Sequence, residues 1–118
     1  MSDVKLLSTA ELPVQFEYPR EFLRIIRLGI VDLEPWYMLD GDHLRKKLAG
    51  MSKRYPAKSL VPFAVRKNND YTACWDGQPG KVYIVHDFAS PGYENRMEFE
   101  NFYSWLRAAI DDCIEFDT

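Results

Sequence analysis

The chain has no hydrophobic run long enough to cross a bilayer, and its first residues lack the apolar stretch of a signal peptide. We therefore expect a cytoplasmic protein with no membrane partner. The chain also has few side chains that bind metals or form covalent bonds, with 2 cysteines and 2 histidines among 118 residues. Cys74 and Cys113 have neither a zinc-site spacing nor a disulfide framework, so both are expected to be buried, reduced thiols.

Motifs for phosphate, calcium and nucleophilic chemistry are also missing. There is no glycine-rich phosphate loop and no Gly-x-Ser-x-Gly elbow, and Gly77 and Gly80 fit a hairpin connection instead. The Asp-Gly-Asp run at residues 40–42 lacks the remaining ligands of a calcium loop, and His43 and His86 lie far apart in the chain. We expect neither a metal nor a cofactor.

One catalytic arrangement can still be written from the residues present. Cys74 would be the nucleophile of a small hydrolase, His86 its base and Asp87 the third member. No oxyanion site accompanies them, and adjacent strand residues such as His86 and Asp87 point to opposite faces. A histidine that ends a strand with local hydrogen bonds is the favoured interpretation, and no catalytic residue is assigned.

Charge is distributed unevenly along the chain, whose net charge is -3. Residues 43–67 contain 8 basic and no acidic side chains, whereas residues 68–118 contain 3 basic and 10 acidic ones. The basic segment has no aromatic side chains among its helical charges for stacking on bases, so nucleic acid is not an expected partner. A solvated helix face is favoured for this segment. The acidic segment would attract a basic protein partner.

The pattern of apolar runs predicts an α+β fold in a single domain over residues 1–118. Three runs rich in aromatic and β-branched residues alternate with turn clusters, which predicts three consecutive antiparallel strands, at 60–67, 71–75 and 81–86. Apolar residues at three- and four-residue steps predict helices over 19–28, 43–55 and 98–115. Residues 30–39 could form two short strands, and residues 87–96 are an unassigned loop.

Three sequence blocks resemble the SUKH superfamily, which contains bacterial toxin-immunity proteins and related regulators of fungal cell-wall synthesis. The blocks are VPFAVRKNNDYTACWDG, GKVYIVHDFASPGYE and FYSWL. The resemblance implies a curved, largely antiparallel sheet packed against helices, and no catalytic residues. Leu28-Gly29 stands where the family often has Asn-Gly. The matching residues look like the family's fold-defining set: Pro62, Phe63, Ala64, Asp70, Cys74, His86, Asp87, Pro91, Gly92, Glu94, Phe102, Trp105 and Leu106.

The resemblance implies an immunity-type binding protein that neutralises a cognate bacterial toxin by direct occlusion. The acidic second half favours a basic, nuclease-like toxin. The alternative is a regulatory scaffold within a larger complex. Trp75 is expected to be partly exposed beside the acidic turn, and the sequence leaves the oligomeric state open. The candidate contact residues are Asp70, Trp75, Asp76, Asp87, Tyr93, Glu94 and Glu98.

Overall fold

A six-stranded antiparallel sheet is the centre of the fold, as seen in a computed structural model that describes residues 4–117. Each strand pairs with the next strand in the chain, so the sheet is a continuous meander. The expected single-domain α+β fold with a curved sheet is confirmed. Residues 1–3 and 118 of the predicted domain lie outside the described residues. The strands are β1 (Asp32–Leu33), β2 (Trp36–Met38), β3 (Leu60–Arg66), β4 (Tyr71–Asp76), β5 (Val82–His86) and β6 (Asn95–Phe99).

Three helices pack on this sheet: α1 (Arg20–Arg27), α2 (Gly41–Arg54) and α3 (Phe102–Phe116). α1 ends where Gly29 adopts a φ of +78°, a left-handed conformation that glycine accepts without steric cost. α3 begins after Asn101, whose side chain accepts a hydrogen bond of 2.9 Å from the Ser104 N–H and so caps the helix. α1 buries Phe22, Ile25 and Ile26 of its predicted apolar face, whereas Leu28 is exposed. α3 buries Phe102, Leu106 and Ala109 of its predicted stripe, whereas Ile110 is exposed.

The helices cover the two faces of the sheet unequally. Trp75 in β4 packs against Phe22 of α1, whereas its neighbour Cys74 clusters with Met51 of α2. Because adjacent strand residues point to opposite faces, α1 and α2 lie on opposite sides of the sheet. α3 shares the side of α1, since Phe102 packs against Phe22. We call these sides the α3 face and the α2 face.

The expectation that Trp75 is partly exposed is wrong. Trp75 has no exposed surface and lies at the centre of an aromatic cluster on the α3 face. Its ring is stacked 4.4 Å from that of Phe63 and meets that of Phe22 edge-on at 5.2 Å. The sequence placed Trp75 beside the turn at Asp76, but the alternation of β4 directs its side chain under α1.

Most predicted ends of the central strands and helices agree with the structure to within one residue, and three differences are larger. Residues 95–99 form β6 rather than loop and helix, and α3 therefore begins at Phe102 instead of near Glu98. Most of β6 is exposed, so it lacks the apolar alternation that marks a strand and forms through its pairing with β5. α2 begins at Gly41 rather than His43, with Asp40 at the capping position instead of Asp42.

Candidate functional site

The loop between β5 and β6, residues 87–94, is tied to α2 by a buried carboxylate. The Asp87 side chain is fully buried and accepts hydrogen bonds from Arg54 Nε at 2.8 Å and from Arg54 Nη2 at 2.6 Å. Lys47 Nζ approaches the same carboxylate at 2.7 Å. Charge-assisted bonds of this bidentate kind are strong and fix the geometry of both partners. The first residue of the loop is therefore fixed to α2.

The rest of the loop is anchored by residues at and after the end of α2. Tyr55 Oη donates to the Ala89 carbonyl at 2.8 Å. Glu94 is buried, forms an ion pair with Lys58 and accepts a hydrogen bond of 2.6 Å from the Gly92 N–H. Lys58 also donates to the Asn95 side chain at 2.9 Å. These contacts hold the loop at its start, middle and end.

The two loop carboxylates titrate below their ordinary range. Burial by itself raises the pKa of Asp87, but the hydrogen bonds from Arg54 and Lys47 outweigh it and the pKa is lowered. The hydrogen bond from Lys58 lowers the pKa of Glu94 against the opposing effect of burial. Both carboxylates are consequently charged and paired at neutral pH.

The basic segment at residues 43–67 has a structural role that the interpretation as a solvated helix face missed. Three of its side chains, Lys47, Arg54 and Lys58, bind loop carboxylates. A fourth, Arg45, binds Glu11 at 2.7 Å and ties α2 to the N-terminal part of the described chain. Several basic side chains of this segment therefore form ion pairs with carboxylates that are distant in the sequence.

The anchored loop presents two aromatic side chains to solvent. Phe88 is 65% exposed and Tyr93 is 74% exposed, whereas every other aromatic side chain of the described residues except Phe116 is buried or half-buried. Phe88 adopts a φ of +70°, and its N–H donates to Asp87 Oδ1 at 2.9 Å. The Arg54 guanidinium lies 4.1 Å from the centre of the Phe88 ring, within the range of a cation–π contact. The position of this exposed ring is thus determined by the buried ion pair beneath it.

The structure divides the predicted contact residues into three groups. Asp70 and Tyr93 are exposed. Tyr93 belongs to the loop, and Asp70 lies beside it, since the Asp87 N–H donates to the Asp70 carbonyl at 2.9 Å. Asp76 and Glu98 are exposed at the other end of their strands. The prediction of surface contacts is wrong for the buried residues, which are Trp75, Asp87 and Glu94. The two carboxylates are buried because each satisfies a basic side chain of the α2 region, which sequence position alone does not reveal.

Phe88 is the site residue that sequence reasoning missed. The residues FASPGY at 88–93 place two aromatic side chains among glycine, proline and serine, in a loop that cannot bury them in a strand or helix. That pattern was visible in the sequence. The φ value and the contact with Arg54, which give Phe88 its position, could be seen only in the structure.

The acidic surface is weaker than the charge count implied. Glu98 forms an ion pair with Lys81 at 3.0 Å, and Asp112 of α3 forms one with Arg66 at 3.2 Å. Asp87 and Glu94 are neutralised as described above. Exposed pairs contribute little to stability, but they cancel charge that would otherwise attract a distant cation. Any steering of a basic partner therefore depends on the remaining carboxylates.

The structure does not bring the three residues of the proposed hydrolase together. Cys74 faces α2, whereas His86 pairs across from Tyr71, three positions along β4, and shares the opposite face with it. The Asp87 carboxylate is bound to Arg54 and Lys47 rather than to His86. Burial raises the pKa of the Cys74 thiol strongly, which removes the thiolate that a nucleophile needs.

We expect only one of the two cysteines to react with a thiol reagent while the protein is folded. Cys74 is completely buried, as expected, and its Sγ lies 3.6 Å from the Tyr83 carbonyl. The expectation of burial is wrong for Cys113, which is half-buried near the end of α3. Titration with a chromogenic disulfide should therefore give one thiol in buffer and two in denaturant. The Cys113→Ala variant should give none in buffer. Rapid reaction of Cys74 in that variant would contradict the described packing.

Known proteins do not identify this site. The chain matches no protein-family model, no curated protein and no solved structure. Over residues 4–117, no helix is both long and apolar enough to cross a membrane. The described range also has no group of three or more histidine, cysteine, aspartate or glutamate side chains placed to hold a metal ion. The functional argument therefore starts from the loop itself.

Proposed function

We propose that this chain is a binding protein that occludes a protein partner, the role that the SUKH resemblance implies for immunity proteins. We further propose that its β5–β6 loop makes the contact. The observation that carries the proposal is the pair of exposed aromatic side chains, Phe88 and Tyr93, on a loop anchored by ion pairs to its buried carboxylates. Aromatic side chains are enriched among the residues that dominate binding energy at protein interfaces. A loop fixed before binding loses less conformational freedom on association.

The backbone at Phe88 supports this choice of surface. A left-handed conformation costs a residue other than glycine about 1 kcal/mol or more, and such strain concentrates at binding and catalytic sites. Here the conformation turns an apolar ring toward solvent, where it contributes little to the core. The hydrogen bond from the Phe88 N–H to Asp87 maintains it. A requirement for an aromatic contact at this position gives that strain a function.

A basic, nuclease-like toxin is the class of partner we propose. The net charge of -3 attracts a basic protein at long range, while the local contacts come from the loop aromatics and Asp70 rather than from Asp87 and Glu94. Charge then sets the rate of encounter and the aromatic side chains set the lifetime of the complex.

The proposal is tested with the protein encoded beside the gene for this chain. That protein should arrest growth when it is expressed alone, and co-expression of the chain should restore growth and give a complex that co-purifies. Failure to restore growth against a toxic neighbour would sink the immunity role. A stable complex with a non-toxic neighbour would instead favour the regulatory-scaffold alternative.

A further inference from the structure

A groove on the α3 face is separate from the β5–β6 loop. It lies between α3 and the sheet, has a volume of about 550 Å³ and is lined by both apolar and charged side chains. Ile84 and Met97 come from β5 and β6, and Trp105 and Ala108 come from α3. Volumes of this size are typical of sites for small molecules. The loop carboxylate Asp87 is bound to α2, on the other face of the sheet.

The charged groups of the groove have a positive balance. Asp112 Oδ2 accepts hydrogen bonds from Trp36 Nε1 at 2.9 Å and from Arg66 Nη1 at 3.2 Å. The Asp112 carboxylate therefore accepts from two donors, and it neutralises the charge of Arg66. Arg96 also lines the groove, and its Nη2 lies 2.9 Å from Nδ1 of His86, which offers a lone pair but no negative charge in that contact. Among the described residues that line the groove, Arg96 is thus the cation without a carboxylate partner.

The apolar wall next to Arg96 is unusually open. Met97 follows Arg96 in β6 and pairs across from the buried Ile84. Its side chain is nevertheless 58% exposed. Trp105 packs edge-on against Trp36 at 5.6 Å, which fixes the floor of the groove. A guanidinium beside an apolar wall offers two different contacts to one ligand, an ion pair for its head and apolar surface for its body.

We propose that this groove binds a small anionic amphiphile, a carboxylate attached to an aromatic ring or a short aliphatic chain. The carboxylate pairs with Arg96, and the apolar body lies against Met97, Ile84 and Trp105. The site is independent of the proposed partner-binding loop, so the failure of either proposal leaves the other in place.

The proposal is tested with three probes that share one apolar body and differ in charge: naphthalene-1-acetate, its neutral amide and 1-naphthylmethylamine. Binding is followed by ¹H–¹⁵N NMR through the indole N–H signals of the 3 tryptophans. The acetate should bind at least tenfold more tightly than the amide, and the amine should not bind. The Trp36 signal should move, because its Nε1 bonds to Asp112 in the groove, while that of Trp75 should not.

Two variants locate the contacts. Arg96→Gln should weaken the acetate about tenfold, to the level of the amide, whereas the matched variant Arg107→Gln on the exposed side of α3 should leave it unchanged. Ala108→Trp should fill the groove and abolish binding of all probes. Equal affinity for the three probes, no binding by any of them, or full acetate affinity in Arg96→Gln would each overturn the proposal.

Discussion

Replacement of Asp87 by alanine is expected to lower the free energy of unfolding by about 3 kcal/mol. The substitution leaves Lys47 and Arg54 without the carboxylate that both bind, and removal of one partner from a buried ion pair is strongly destabilising. It also removes the acceptor for the Phe88 N–H. Urea denaturation at pH 7 measures the change directly, since the midpoint should fall while its slope is preserved.

A matched control uses Asp70, an exposed aspartate beside the same loop. Asp70→Ala should leave the urea midpoint unchanged, because surface substitutions away from special contacts have small effects. An Asp87→Ala midpoint equal to that of the wild type would show that the ion pair does not hold the loop.

The pH dependence of stability should report the same carboxylates. Because the pKa of Asp87 and that of Glu94 are lowered in the folded protein, their stabilisation is present above the unfolded-state values of 3.8 and 4.5. It is lost as the pH falls through the lower folded-state values. The wild type should therefore lose stability below about pH 5, and Asp87→Ala should lose less over the same range.

Replacement of Trp75 by alanine is expected to cost about 3–5 kcal/mol, the range measured for large aromatic side chains removed from a core. Trp75 is fully buried and contacts the rings of Phe16, Phe22 and Phe63. Loss of the indole would leave a cavity between α1 and β4 that rigid neighbours cannot fill. Thermal and urea denaturation should both show the loss.

A second substitution separates packing from hydrogen bonding at this position. Trp75 Nε1 is buried and has no hydrogen-bond partner among residues 4–117, so Trp75→Phe removes an unsatisfied donor along with part of the ring. We expect Trp75→Phe to cost about 1–2 kcal/mol, well below Trp75→Ala. A Trp75→Ala variant as stable as the wild type would contradict the buried position and support the exposed one that the sequence predicts.

The sequence predicts the central part of this fold well because local rules govern it. Turn residues at 68–70 and 76–80 separate apolar runs that could only pair as neighbours, and these became β3, β4 and β5. The apolar spacing of Phe22, Ile25 and Ile26 likewise identified the buried side of α1. The sequence does not predict β6, because an exposed edge strand carries no apolar alternation and its pairing with β5 is a tertiary contact.

The candidate site could be predicted only in part, because its chemistry depends on contacts between distant residues. The sequence places Tyr93 in a loop among the candidate contact residues, and its side chain is exposed. The sequence predicts surface positions for Asp87 and Glu94 because they lie at a strand end and in the loop that follows it. Their partners Arg54 and Lys58 are more than thirty positions away in the chain, and only the fold shows that these charges meet.

The affinity of the Phe88→Ala/Tyr93→Ala double variant for the proposed partner, the protein encoded beside the gene for this chain, tests the central claim most directly. Both side chains are exposed, so the fold should be retained, and isothermal titration should show affinity at least a hundredfold lower, as expected for aromatic anchors of an interface. Val14→Ala, which truncates another exposed apolar side chain outside the loop, should bind like the wild type. Unchanged affinity of the double variant would contradict the account.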